Sequence, residues 1–312
     1  MSNIVAVIVF MFALVSNQVF AQHDEAVLAQ SEVIKALANL KSVIDQHYLP
    51  VEKSERLNIA LTRALKNREF EGHYPFGRLK RKLESLLFSV SHDPSFEILF
   101  RDEHESPTNF STSYFPGAVQ ARVNANNLGY LAIDGDFVES DWQDIFDSSL
   151  TFVSGSDALI IDLRTAGHSS LSFITFLLGY FVPSGEPLAK LHLSHGEYLI
   201  IRSKGAHNPV AQDIPIFILT SPFLAGAWEL FLDRLKSEGR ATIIGKPTMG
   251  LSQLTRTEAI SQHLSVTLPY AEILNPKNQD SWNNTGVLPD VESLLEDALA
   301  EAERLIGQTL IR

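Results

Sequence analysis

Apolar residues recur at spacings of three and four from Asp24 to about His47, at Val27, Leu28, Val33, Ile34, Leu37, Leu40, Val43 and Ile44. That is the period of one helix face, and Tyr48-Leu49-Pro50 ends it. The same period predicts helices from Ser54 to Asn67 and from Phe76 to Val90, and the polar loops between them are short. Three such helices predict an N-terminal bundle. Ser91-His92-Asp93-Pro94 breaks the third helix, and Phe96–Phe100 then alternates as a strand does.

Past the polar stretch from Arg101 to Asn109 the texture changes to strands alternating with helices. Strands are predicted at Gly129–Ile133, Ala158–Leu163, Pro215–Thr220 and Ala241–Gly245. Helices are predicted at Asp141–Phe152, Ser170–Phe181, Ala225–Glu238 and from Val291 to about Ile306. Such alternation is the signature of an α/β (α+β) domain. The expected partition is a leader over 1–21, a helical bundle with a short strand over 22–102, a linker over 103–125 and the α/β domain over 126–312.

The leader is expected because Ile4 to Val15 is an unbroken apolar run, followed by Val19-Phe20-Ala21, whose residues suit a cut at Ala21/Gln22. The run is too short to span a bilayer, so the expected destination is the periplasm or the exterior, with no stable membrane insertion after cleavage. Twenty-five Lys+Arg against 37 Asp+Glu give a net charge of −12, which argues against nucleic acid as a partner. There is no cysteine, so thiol nucleophiles and thiolate metal sites are excluded. The ten His occur singly, without the paired spacing of a zinc site, and no metal or cofactor is expected.

In α/β folds the chemistry collects at the carboxyl ends of strands, which directs attention to the loops after Leu163, Ser221 and Gly245. Three segments there are distinctive: Leu128–Ile133, Ala158–Arg164, and Ile216–Ser221 with Glu229 eight positions on. Together with Gly239–Gly245, Thr248, Gly250 and Gly286–Val291, in this order, they resemble the tail-specific (C-terminal processing) serine peptidase family over roughly 126–298. The helical N-terminus and the lack of room for a PDZ insert between Phe100 and Leu128 resemble the branch that includes interphotoreceptor retinoid-binding protein modules. The resemblance implies a ClpP/crotonase-like β-β-α superhelix and serine peptidase chemistry.

It also implies where the machinery belongs, and three parts differ. The nucleophile's position falls on Gly226, which has no side chain to attack with. The position of the general-base Lys falls on Leu251, while Lys246 sits five residues early as a loop charge. The oxyanion loop reads Thr165-Ala166-Gly167-His168, with one Gly where the family has a pair. The resemblance therefore implies a degenerate member that binds a peptide or a small hydrophobic ligand in the former cleft, lined by Arg164, Gly167, Ser221, Ala225, Ala227 and Ser252. The alternative is a hydrolase with a rebuilt constellation of Ser221, His168 and Asp162. Against it stands the plainer expectation that Ser221 caps or satisfies the strand end, that Asp162 and Arg164 orient backbone amides or pair with one another, and that His168 is a partly exposed loop residue. Ser252 is read as a turn serine with a chance contact to ligand, Glu229 as a stabiliser of its helix's first turns, and His263 and Tyr270 as strand packing.

Overall fold

A computed structural model describes residues 24–49, 51–101, 117–138 and 142–310. The expected leader lies outside them. The described chain falls into two compact units, divided at 110/111, 254/255 and 271/272.

The N-terminal unit begins with β1 (Val27–Leu28), α1 (Gln30–His47), α2 (Val51–Lys66), β2 (Tyr74–Pro75), α3 (Phe76–Ser91) and β3 (Glu97–Phe100). Three helices form where periodicity predicts them, because each has a stripe to bury: Val33, Leu37, Leu40 and Ile44 of α1, Leu57 and Leu61 of α2, and Leu79, Leu83 and Leu87 of α3 share one core. The first begins only at Gln30, because Val27 and Leu28, expected on its face, instead pair antiparallel with β2. α3 ends where His92 turns left-handed (φ 53°, ψ 30°). Tyr48, just past α1, donates its buried hydroxyl to Asp93 at 3.1 Å. The unit also takes in residues 255–271, which the sequence reading assigns to the C-terminal domain. They join it because Ile260, Leu264, Val266 and Leu268 belong to the helical core, and Leu264–Thr267 pair antiparallel with β3.

The C-terminal unit continues with β4 (Ala118–Val123), β5 (Leu128–Phe137), α4 (Gln143–Val153), β6 (Ala158–Asp162), β7 (Ala166–Ser169), α5 (Leu171–Leu178), β8 (Pro187–Leu193), β9 (Tyr198–Arg202), β10 (Ile216–Leu219), α6 (Ala227–Ser237) and β11 (Thr242–Gly245). After β12 (Gln253–Ala259) and β13 (Leu264–Leu274), which carry the chain through the other unit, come β14 (Val291–Glu292) and α7 (Ala298–Leu310). Strands β7, β8 and β9 are not among the predicted elements, and two further segments differ from expectation. Residues 118–123, placed in a linker, are the edge strand β4, antiparallel to β5. The C-terminal helix starts at Ala298, because Val291-Glu292 instead extends the sheet beside β11.

The main sheet runs β14-β11-β10-β6-β5-β4, with β5, β6, β10, β11 and β14 parallel. Parallel strands are covered on both faces and so read as continuous apolar runs. Alternation then divides them: Leu159, Ile161, Ile216, Ile218 and Ile243 face the core shared with α4, α5 and α6, while Ala158, Ile160, Phe217, Leu219 and Ile244 face Ala298, Ala302 and Ile306 of α7. Register aligns the strand ends. Asp162 lies beside Leu219, and Leu219 beside Ile244. The three loops of interest therefore leave the same edge.

Candidate functional site

After β10 the chain runs through Thr220–Ala225 and enters α6 at Gly226, whose backbone has φ 63° and ψ −124°. L side chains rarely adopt that conformation, so glycine suits the turn on conformational grounds. Space does not require it, since a Cβ built there meets nothing within 4 Å. At this strand-to-helix elbow a side chain could project into open space, and none is present.

The elbow is locked by a carboxylate. Glu229 has no exposed surface, yet it bears a full set of partners. Its Oε2 accepts the N–H of Gly226 at 3.0 Å and that of Leu251 at 2.7 Å, and its Oε1 accepts the N–H of Gly250 at 2.6 Å and the hydroxyl of Thr248. A buried carboxylate is tolerated when its lone pairs are all engaged in this way. The sequence reading gives Glu229 only to its own helix. The structure shows it tying that helix to the loop after β11, 19 to 22 positions along the chain. Thr248 passes the tie on by accepting the N–H of Val287 at 2.8 Å. The signal available in the sequence was an acidic residue three positions after a glycine at a helix start, half of a capping box.

Around this clasp the surface is apolar. Phe223 is 78% exposed, Met249 53% and Leu251 47%. Phe223 precedes Leu224, whose carbonyl accepts the Met249 N–H at 3.0 Å, and Leu251 hangs from Glu229. Leu251 thus stands at the elbow as an apolar group, held through its backbone. Lys246 turns elsewhere and pairs with Glu292 at 3.0 Å.

The end of β6 is occupied by a second tie. Arg164 grips Asp162 with two guanidinium nitrogens, Nε to Oδ1 at 2.9 Å and Nη2 to Oδ2 at 2.6 Å, and reaches the carbonyl of Leu295 with its third. Tyr130 donates its hydroxyl to Asp162 Oδ2 at 2.6 Å. Burial alone would raise the Asp162 pKa, but the bonds from Arg164 and Tyr130 outweigh it and hold the carboxyl below its ordinary value. Burial, reinforced by the bond to Asp162, pushes the Tyr130 hydroxyl up. Arg164, expected to line the cleft, is thus engaged in pairing, as is Asp162.

The rebuilt constellation does not assemble. Ser221 is 1% exposed and its hydroxyl has no hydrogen-bond partner, so no base touches it. His168 is exposed on strand β7, not in a loop as expected, and its backbone N–H donates to Asp136 Oδ1 at 2.6 Å. Gly167 is fixed by close approach, since a Cβ there would fall 2.2 Å from that same oxygen, and its carbonyl accepts the indole N–H of Trp228 at 3.0 Å. Ala225 is half-buried and Ala227 buried beside Gly226. Ser252 faces inward: it is fully buried and its hydroxyl bonds Ser281 at 2.9 Å and Glu272 at 3.2 Å, so it does not line a surface. His263 does more than pack, because its Nδ1 and backbone N–H both meet Glu32 Oε1 at 3.0 Å. Among the described residues no group of three or more His, Asp or Glu stands together as a metal site.

Residues 127–293, more than half of the chain, match the family model of peptidase family S41. The chain belongs to this family. Solved structures resemble it at low identity and therefore speak for the fold alone. A lipoprotein from Streptococcus agalactiae is 15% identical with a TM-score of 0.63, covering 89% of this chain and 96% of its own. The photosystem II D1 C-terminal processing protease is 17% identical with a TM-score of 0.61, covering 86% of this chain and 94% of its own. In this S41 chain the matched span begins just before β5 and ends just after β14, so it takes in the elbow, the Glu229 clasp and the Asp162–Arg164 pair together.

Proposed function

We propose that this S41 protein is a non-catalytic member that binds an extended peptide or a small hydrophobic ligand at the Gly226 elbow and is exported with loss of residues 1–21. The observation that carries the reading is the elbow itself, a strained strand-to-helix turn whose frame is held by Glu229 while the position facing open space bears only hydrogen. Covalent acyl transfer needs a hydroxyl beside a base. Leu251 cannot take a proton, and the buried hydroxyl of Ser221 has no partner to activate it. The exposed side chains of Phe223, Met249 and Leu251 favour an apolar occupant, since grouped apolar surface is characteristic of binding sites.

Calorimetric titration with a decapeptide ending in apolar residues tests the reading. Saturable binding is expected, with the peptide recovered uncut and with affinity at least ~tenfold weaker in a variant carrying Phe223→Ser and Leu251→Ser, the scale of losing two apolar contacts. Failure to bind, or binding indifferent to both substitutions, overturns it. Intact mass of the exported protein tests the leader: retention of residues 1–21 contradicts that part.

A further inference from the structure

A second cleft, of about 500 Å³, opens in the C-terminal unit, and none of its lining residues belongs to the elbow or its clasp. Its volume falls in the range of small-molecule sites. Trp142 and Phe176 supply its apolar surface over the buried Tyr180, and Arg202, Lys204 and His207, exposed on one segment of the chain, also line it. Phe176 and Tyr180 meet edge to face at 5.5 Å.

The wall that carries the cations is fastened to the end of α5. The N–H of Ala206 donates to Gly179 O at 2.8 Å, the Ser203 hydroxyl donates to Val182 O at 2.8 Å and accepts from Gly205 N–H at 3.0 Å, and the N–H of Val210 donates to Tyr180 O at 2.8 Å. Gly205 sits at φ 69°, close under Gly179, where a Cβ on Gly179 would lie 3.3 Å from its carbonyl carbon. The cleft is thus built before any ligand arrives.

Its charge runs against that of the molecule. The whole chain carries −12, yet two basic side chains and a histidine gather here. Among the described residues the lining contains a single carboxylate, Asp147, and one of its oxygens is taken by the Tyr180 hydroxyl. Arg202 gives one nitrogen to Gly185 O at 3.0 Å. Lys204 and His207 have no ion-pair partner among the described residues. An aromatic floor beside cations carried on a tied-down stretch of backbone suits a ligand with an apolar body and one anionic end.

We propose that this cleft binds a small aromatic or branched-alkyl carboxylate, its apolar body against Trp142 and Phe176 and its carboxylate toward Lys204, Arg202 and His207. The proposal does not depend on the reading of the Gly226 elbow. The test is calorimetric titration of the full-length protein with 2-naphthoate and with its uncharged analogue 2-naphthalenemethanol. One saturable site is expected for naphthoate, at least ~tenfold tighter than for the alcohol, and weakened by added salt, because a charged contact supplies the difference. Lys204→Glu, at an exposed position, should weaken naphthoate ~tenfold and leave the alcohol unchanged. Thr175→Trp should fill the cleft and abolish binding of both. Absence of saturable naphthoate binding, equal affinity for acid and alcohol, or indifference to Lys204→Glu and Thr175→Trp in variants whose circular dichroism is native would each overturn the proposal.

Discussion

Glu229 accepts the main-chain N–H of Leu251 at 2.7 Å with the same oxygen that accepts the N–H of Gly226 at 3.0 Å. One buried carboxylate therefore fixes the elbow and the loop that faces it as a single object. The carboxylate therefore does more than cap its helix.

Replacing Glu229 by Ala leaves the N–H groups of Gly226, Gly250 and Leu251 without their acceptor. Buried unsatisfied donors cost about 1–3 kcal/mol each, and partial rehydration relieves some of this, so a loss of about 3–5 kcal/mol in urea unfolding is expected. Glu229→Gln should cost about 1–3 kcal/mol, because its NH2 meets donors where an oxygen stood. A loss below ~0.5 kcal/mol for the alanine variant would show that the clasp does not hold the elbow.

At Gly226 the expectation is different, because the obstacle to a side chain is conformational and not steric. Gly226→Ser should fold with a penalty of about 1–3 kcal/mol, the usual cost of an L residue in a sparsely populated backbone region. Gly167→Ala should cost at least as much, since its Cβ collides with the Asp136 carboxylate. Thermal unfolding of both variants checks the order. Aggregation of Gly226→Ser alone would contradict the open space described at the elbow.

The sequence pattern reveals strands and helices where one face, or both, must be buried. β6 and β10 are uninterrupted apolar runs because helices cover both sides, and α1 to α3 show their stripes because each has a single core to meet. β9 stays hidden for the opposite reason: Tyr198, Leu199 and Ile200 are all exposed, so no alternation marks it. β4 carries polar residues on a sheet edge and reads as a linker. At the site, Gly226 and Leu251 are legible by position alone, whereas the reach of Glu229 and the inward turn of Ser252 depend on contacts between distant loops, which no local period records. The Asp162–Arg164 pair is one of two arrangements that their spacing of two positions suggests; the participation of Tyr130 and Leu295 is not foreseen.

The same pair carries a pH dependence. Asp162 has a lowered pKa in the folded chain, so it contributes stability above the ordinary carboxylate value near ~4, and that contribution disappears as the pH falls through its folded pKa. Arg164→Ala should cost about 2–4 kcal/mol at pH 7, as expected for a largely buried ion pair losing one partner. The gap between wild type and variant should narrow steadily below pH ~4 in denaturant titrations. A gap that stays constant down to pH ~2 would show that the pair contributes no such term.

Restoring the missing groups tests whether the frame is complete. A protein carrying Gly226→Ser with Leu251→Lys should react covalently with a fluorophosphonate probe, and the labelling should depend on both substitutions, because a hydroxyl needs its base. A folded double variant that stays unlabelled would contradict the claim that Glu229 preserves a usable elbow.

The central claim, that this S41 protein has no working nucleophile, is tested most directly by exposing the purified wild-type chain to a fluorophosphonate probe and reading intact mass. The account predicts an unmodified mass at every pH tested. Stoichiometric labelling that vanishes in Ser221→Ala would contradict it.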